Sequence, residues 1–223
     1  MKILFCKMAV KSLLLDIDGV LIRDRLLLEH VKDNCVKYVA HKFPECKNPR
    51  ETNRFLYLAH GHTARGLRDV FKLDTHDFND KVYDKSLLDH LAEVIYSDKF
   101  QEEAKQIHEL TSSGWNVTLF TNSPIEWAGP VARAISDQVY VKCPSDHYKP
   151  EAGFYTDFSK AQTHLFVDDS LKNLGTARYL ANWHPIHFTD SPKEAKMWCP
   201  QVSSIWELCL YVNSVDQWIQ DTV

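Results

Sequence analysis

Leu13-Leu14-Leu15-Asp16-Ile17-Asp18-Gly19-Val20-Leu21 is the stretch on which the fold turns. Three leucines before the first charge read as a strand buried on both faces, as in a parallel sheet. The glycine breaks the strand. Asp16 and Asp18 therefore fall where it runs out, at the edge where open α/β sheets bind ligands. A spacing of two puts both carboxylates on one side of the backbone. Held that close, they repel unless a cation lies between them or one is protonated. A hard metal such as Mg²⁺ answers that need. The same residue types also suit a plain turn after a strand, so the rest of the chain has to separate the two.

The 223 residues suffice for one large domain, or for a core domain with an insert. Apolar residues make up 44% and charged residues 25%, enough to bury a sizeable core. The net charge of −4 gives no electrostatic case for duplex nucleic acid or an acidic membrane as partner. An anionic substrate must then be held by local positive groups. No stretch approaches the ~20 apolar residues of a membrane span. Residues 1–8 are apolar but broken by Lys7 and lack a small-residue cleavage site. They read as an edge strand or a lead-in, with Met8 as an alternative start, and not as a signal peptide. The six cysteines, at 6, 35, 46, 143, 199 and 209, include no C-x-x-C pair. They read as small buried hydrophobes of a reduced, cytoplasmic protein. His60-Gly61-His62 looks like a metal pair but lacks further ligands nearby.

Between Ile22 and Ser97 the pattern is helical. Leu28, Val31, Cys35, Val39 and Phe43 predict an amphipathic helix over 26–43. A turn over 44–49 and helices over 51–60, 64–71, 75–83 and around 87–95 follow. From about residue 99 strands and helices alternate. A helix closed by Gly114 leads to a strand at 115–120. Next come a helix at 125–136, with Pro130 as an awkward member, and a strand at 139–141. A loop at 147–150 precedes a short helix at 151–161. A strand at 164–167, a helix at 171–181, a last strand at 185–188 and a helix at 203–213 complete the chain. The class is α/β, a doubly wound parallel sheet with right-handed crossovers. The core comprises residues 1–22 and 98–223, and residues 23–97 form a helical insert over the sheet edge.

Four strand ends carry polar residues: Asp16/Asp18, Thr121/Asn122, the Lys149 loop and Asp168/Asp169. Parallel strands end at one edge, so these groups can converge. Carboxylates with a backbone carbonyl and waters make a Mg²⁺ cage. The Thr121 hydroxyl and the Asn122 N–H are uncharged donors to phosphate. Lys149 supplies a point charge. Such a set suits phosphoryl transfer, where charge stabilisation and positioning do most of the catalysis.

On these four motifs the chain resembles the haloacid dehalogenase (HAD) superfamily of phosphohydrolases. The matching segments are Asp16-Ile17-Asp18-Gly19-Val20, Leu119-Phe120-Thr121-Asn122, Lys149-Pro150-Glu151 and Phe166-Val167-Asp168-Asp169-Ser170. The resemblance implies a Rossmann-like core and a Mg²⁺-dependent phosphatase. It implies Asp16 as nucleophile, and Asp18 as general acid and then base. Thr121 and Asn122 would hold the phosphate, with Lys149 bridging phosphate and nucleophile. Asp16, the Asp18 carbonyl and Asp169 would bind the metal directly, and Asp168 through a water. The insert resembles a helical cap of the first type, suited to a small phosphorylated metabolite. Residues 57–67 are similar to pyrimidine 5′-nucleotidase-like members, although His60 stands where that group reads tyrosine. His62, Thr63 and Arg65 are the candidate substrate contacts there. The expected substrate is a phosphomonoester such as a nucleoside 5′-monophosphate. A sugar phosphate or phosphoglycolate, and a non-catalytic binding protein of the same fold, are the alternatives.

Overall fold

The computed structural model describes residues 11–158, 162–191 and 197–222, with residues 216 and 218–222 described by backbone alone. The apolar lead-in at 1–8, with Cys6, lies outside the described residues. Six parallel strands form one sheet. They are β1 (Lys11–Leu15), β2 (Asn116–Phe120), β3 (Tyr140–Lys142), β4 (Thr163–Asp168), β5 (Trp183–Phe188) and β6 (Gln201–Val202). Their order is β3-β2-β1-β4-β5-β6. β1 is central, and the chain reverses its direction of travel across the sheet between β1 and β4. That is the switch point at which open α/β sheets bind ligands. Register pairs Leu15 with Leu119 on one side and Val167 on the other, so the ends of β1, β2 and β4 lie level.

The leucine run works as its sequence suggests. Leu13, Leu14 and Leu15 are fully buried, the middle one facing opposite to its neighbours. Leu14 joins Phe120, Phe154, Tyr155, Phe166 and Trp183 in an aromatic layer on one face. Leu13 and Leu15 join a larger apolar core on the other, which runs on without a break into the insert. Each such leucine contributes about 1.5–3 kcal/mol by leaving water.

Residues 23–97 carry α1 (Arg25–Lys42), α2 (Pro49–His60), α3 (Thr63–Phe71), α4 (Phe78–Val82) and α5 (Lys85–Ile95), and among the described residues no strand. Their starts are set by side chains that take up free amide groups. Asp24 accepts from Leu27 N, Asn48 from Glu51 N and Asp84 from Leu87 N. Gly61, left-handed at φ 79°, ends α2. Helices α6 (Asp98–Ser112), α7 (Ile125–Ile135), α8 (Leu171–Ala177) and α9 (Ile205–Thr222) cover the sheet. Pro130 is accommodated inside α7, whose Trp127, Ala128, Val131 and Ala132 are buried. No helix among the described residues is long and apolar enough to cross a membrane.

Several expected elements differ, among them the last helix, expected over 203–213 and found as α9 running to Thr222. The helix over 151–161 is a single 3₁₀ turn, Ala152–Tyr155, with 159–161 outside the described residues. Phe154 and Tyr155, consecutive in sequence, both enter the aromatic layer. The tighter turn lets both reach it. Helix α8 stops at Ala177, short of the expected 181. The strand at 185–188 begins earlier and is not the last, because β6 pairs beyond it. Two residues are too few to show a period.

Gly66 marks the close crossing of α2 and α3. A methyl group there would stand 2.8 Å from Leu56 Cβ. Gly66→Ala should therefore destabilise the protein by about 1–3 kcal/mol through overpacking. The measure is a lower urea midpoint at unchanged slope, and an unchanged midpoint would show that the helices pack less closely.

Candidate active site

β1 ends at Leu15, and the chain turns at once. Leu21 and Ile22 donate their amides to Ile17 O, and Gly19 donates to Ile22 O. Gly19 is left-handed at φ 87°, and a methyl there would run into the Asp169 carboxylate. Glycine is needed for both reasons.

The centre of the site is Lys149. Its Nζ lies 2.7 Å from Asp168 Oδ2 and 3.0 Å from Asp16 Oδ1, and the residue is 1% exposed. The faces of Phe120 and Phe166 flank the ammonium at 5.5 and 5.6 Å. Asn122 clamps the lysine's backbone from both sides. Its Oδ1 accepts from Lys149 N at 2.7 Å, and its Nδ2 donates to Lys149 O at 3.0 Å. Thr121 is buried, and its hydroxyl accepts from Ser123 N at 3.0 Å. Asp168 is saturated by Lys149, by Asn173 Nδ2 at 3.1 Å to each oxygen, and by Ser170 N at 2.8 Å. Asp169 is open to solvent overall, but its carboxyl turns toward the others.

Asp18 stands slightly apart. Its Oδ2 accepts from Ser123 Oγ at 2.6 Å and its Oδ1 from Trp127 Nε1 at 3.1 Å. Carboxylate oxygens of Asp16, Asp168 and Asp169 lie within 4.8 Å of one another; the Asp18 side chain is outside that group. The common side expected for Asp16 and Asp18 thus does not bring the Asp18 carboxyl into that group. β1 ends before Asp16, so strict alternation no longer applies.

The electrostatics follow from burial and crowding. Burial opposes the Lys149 charge, yet Asp16 and Asp168 hold its ammonium above the ordinary lysine value. Burial pushes Asp16 well up, partly offset by Lys149, with Asp168, Asp169 and Asp18 adding to the rise. Loss of water, then Asp168, push Asp169 up to about 7. Burial raises Asp18 too, against the Ser123 and Trp127 hydrogen bonds. Three converging carboxylates face one ammonium. An all-oxygen donor set with surplus negative charge fits a hard divalent cation.

His62, Thr63 and Arg65 lie at a seam between α3 and the loop around Lys149. His62 is buried, stacked on Tyr148 at 4.5 Å and edge-on to Phe78 at 5.3 Å. Thr63 Oγ1 donates to Asn53 Oδ1 at 2.7 Å. Arg65 donates to His60 O at 2.8 Å and pairs with Asp69 and Glu151. His60 Nδ1 lies 3.5 Å from Asp69, so the two histidines of the H-x-H pair have separate partners. Another residue of the insert, Tyr57, is more than half exposed. Burial, and then Asp169, Asp16, Asp168 and Asp18, push its hydroxyl up. Sequence reasoning also passed over Asn173, Ser123, Trp127 and Tyr83. Ser123 directly follows Thr121-Asn122, and Asn173 sits one turn beyond Asp168-Asp169. Tyr83 carried no local signal.

No protein-family model matches the sequence, and no curated protein matches it. Solved structures do. The HAD phosphatase from Thermococcus onnurineus matches at TM-score 0.55 and 18% identity, over 91% of this chain and 97% of that one. The structure named "Putative beta-phosphoglucomutase from Bacteroides vulgatus" matches at TM-score 0.53 and 13% identity, over 92% and 90%. At such identities the likeness is one of fold: the chain has the Rossmann-like α/β fold of these proteins.

His62 makes the seam sensitive to acid. Its Nδ1 is buried without a partner, and burial pushes its pKa from 6.5 down to about 4. The unfolded chain takes up the proton first, so stability is full above pH 6.5 and falls as pH drops toward about 4. The loss reaches about 3 kcal/mol. His62→Phe keeps an aromatic on Tyr148 and should remove that part of the acid slope. Urea midpoints between pH 4 and 7 for both proteins give the comparison, and parallel profiles would rule the effect out.

Proposed function

We propose that the protein is a phosphatase of the HAD type, hydrolysing a small phosphomonoester with Mg²⁺. The observation that carries this reading is the meeting of Asp16, Lys149, Asp168 and Asp169 at one sheet edge, beside a separately held Asp18. A merely structural cluster of this charge would be costly to keep.

On this reading Asp16 attacks phosphorus. A bond forms between its carboxylate oxygen and phosphorus as the bond to the leaving oxygen breaks, and Asp18 gives that oxygen its proton. Asp18 then takes a proton from water, whose oxygen attacks the aspartyl-phosphate and frees inorganic phosphate and Asp16. Lys149 neutralises Asp16 and the phosphate, and Asn122 holds Lys149 in place. Asp16, Asp169 and the Asp18 carbonyl would hold Mg²⁺, with Asp168 behind; when bound, Mg²⁺ neutralises phosphate charge.

Residues 23–97 serve as the cap. What supports this is the set of contacts joining α2 and α3 to the core. Lys172 Nζ donates to Leu58 O and Ala59 O at 3.2 and 3.0 Å. Arg65 and Arg68 face Glu151, and Arg68 donates to Asp146 O. A lid this close favours a small metabolite, a nucleoside 5′-monophosphate among them.

Asp16→Asn should lower Mg²⁺-dependent hydrolysis of 4-nitrophenyl phosphate by more than about a thousandfold, with the fold kept by circular dichroism. Retained turnover would remove Asp16 as nucleophile. Mg²⁺ should raise the melting temperature of the native protein, and less so that of Asp169→Asn. Equal shifts in the two would remove Asp169 from the ligand set.

A further inference from the structure

Both oxygens of Asp18 are already held, and the residues that hold them share one neighbour from the insert. Tyr83 follows α4 and is buried. Its hydroxyl lies 3.2 Å from Ser123 Oγ, and its ring meets the Trp127 ring edge-on, centroids 5.5 Å apart at 65°. Ser123 and Trp127 are in turn the two donors to Asp18, at 2.6 and 3.1 Å. We propose that Tyr83, acting through Ser123 and Trp127, is a positioning residue for Asp18, by which the insert aims the acid at the leaving oxygen. This rests on the phosphatase reading above and adds residues to it.

The chemistry of the three groups makes the arrangement specific. An indole N–H only donates, so Trp127 fixes Oδ1 of Asp18 as an acceptor at all times. Trp127 is fully buried within α7 and cannot swing aside without opening the core. A serine hydroxyl donates once and accepts twice. Here it donates to Asp18 and so accepts from Tyr83. In this direction both hydroxyls are satisfied, and the oxygens of Asp18 keep lone pairs for the catalytic proton. The carboxyl plane thus stays fixed whether or not Asp18 carries a proton, which a group that gives and retakes one requires. Tyr83 lies 65 residues beyond Asp18 in the chain. It is buried where α4 gives way to α5, and α5 packs on α7. Displacing this part of the insert would loosen both donors together.

The test uses leaving groups that differ in their need for a proton. A 2,4-dinitrophenolate departs without one, whereas an alkoxide does not. For native protein, Tyr83→Phe, Ser123→Ala and Asp18→Asn, kcat/KM is measured with 2,4-dinitrophenyl phosphate and with a simple alkyl phosphate. Tyr83→Phe keeps the ring on Trp127 and removes only the hydroxyl. It should lower the alkyl ester about tenfold or more and the dinitrophenyl ester by less than about threefold. Ser123→Ala should do the same more strongly, Asp18→Asn most of all, and Ser123→Thr should restore much of the loss. A merely structural role would lower both esters together, and that parallel fall, with a steep response in Asp18→Asn, would overturn the proposal alone. Native protein that hydrolyses neither ester would overturn the phosphatase reading and the proposal with it.

Discussion

A lysine ammonium removed almost wholly from water is stable only if opposite charge stands against it. Lys149 meets that requirement with Asp16 and Asp168, contributed by the ends of two adjacent strands. The dependence is mutual. Take the lysine away and two buried carboxylates lose their counter-charge, a loss of about 3–5 kcal/mol in comparable buried pairs. Much nearby structure serves this contact. Asn122 fixes the lysine's backbone, Asn173 and Ser170 fix Asp168, and two phenylalanine faces flank the ammonium.

One ammonium does not balance the site. With oxygens of Asp16, Asp168 and Asp169 within 4.8 Å, each ionised pair repels by at least about 3 kcal/mol at an effective dielectric near 20. Burial is the first cause of the upward pressure on Asp16 and Asp169, and that repulsion adds to it. A phosphate brought to this edge would add to it. An anionic substrate therefore needs a further positive charge, and on the reading proposed here Mg²⁺ is the one the donor set suits.

The sheet and the convergence of its acids were legible because their signals are local and strong. Leu13 to Leu15 mark a strand buried on both faces, and strand ends at Asp16, Thr121 and Asp168 follow from parallel order. Pattern reading lost the elements that tertiary packing shapes. The 3₁₀ turn at Ala152–Tyr155 exists because two adjacent aromatics share one layer, and β6 is a pairing of two residues. Ser123, Trp127 and Tyr83 escaped for a different reason. Each acts across the fold, with 105 residues between Ser123 and Asp18 and 109 between Trp127 and Asp18, and no spacing rule reaches so far.

The insert shows the same limit from the other side. His62, Thr63 and Arg65 drew attention as polar residues in a short run, but their side chains are turned into the seam. That seam has a consequence for α2. The helix ends at Gly61, which lies against the Lys149–Pro150 backbone, so closely that a methyl there would stand 3.1 Å from Lys149 O. Lys172 holds the carbonyls of Leu58 and Ala59 just before it. With its end fixed at two points, α2 has little freedom to turn about its axis. Tyr57, whose carbonyl accepts the Gly61 amide, is thereby held at its backbone. His62, Thr63 and Arg65 thus help hold the insert against the core at this seam.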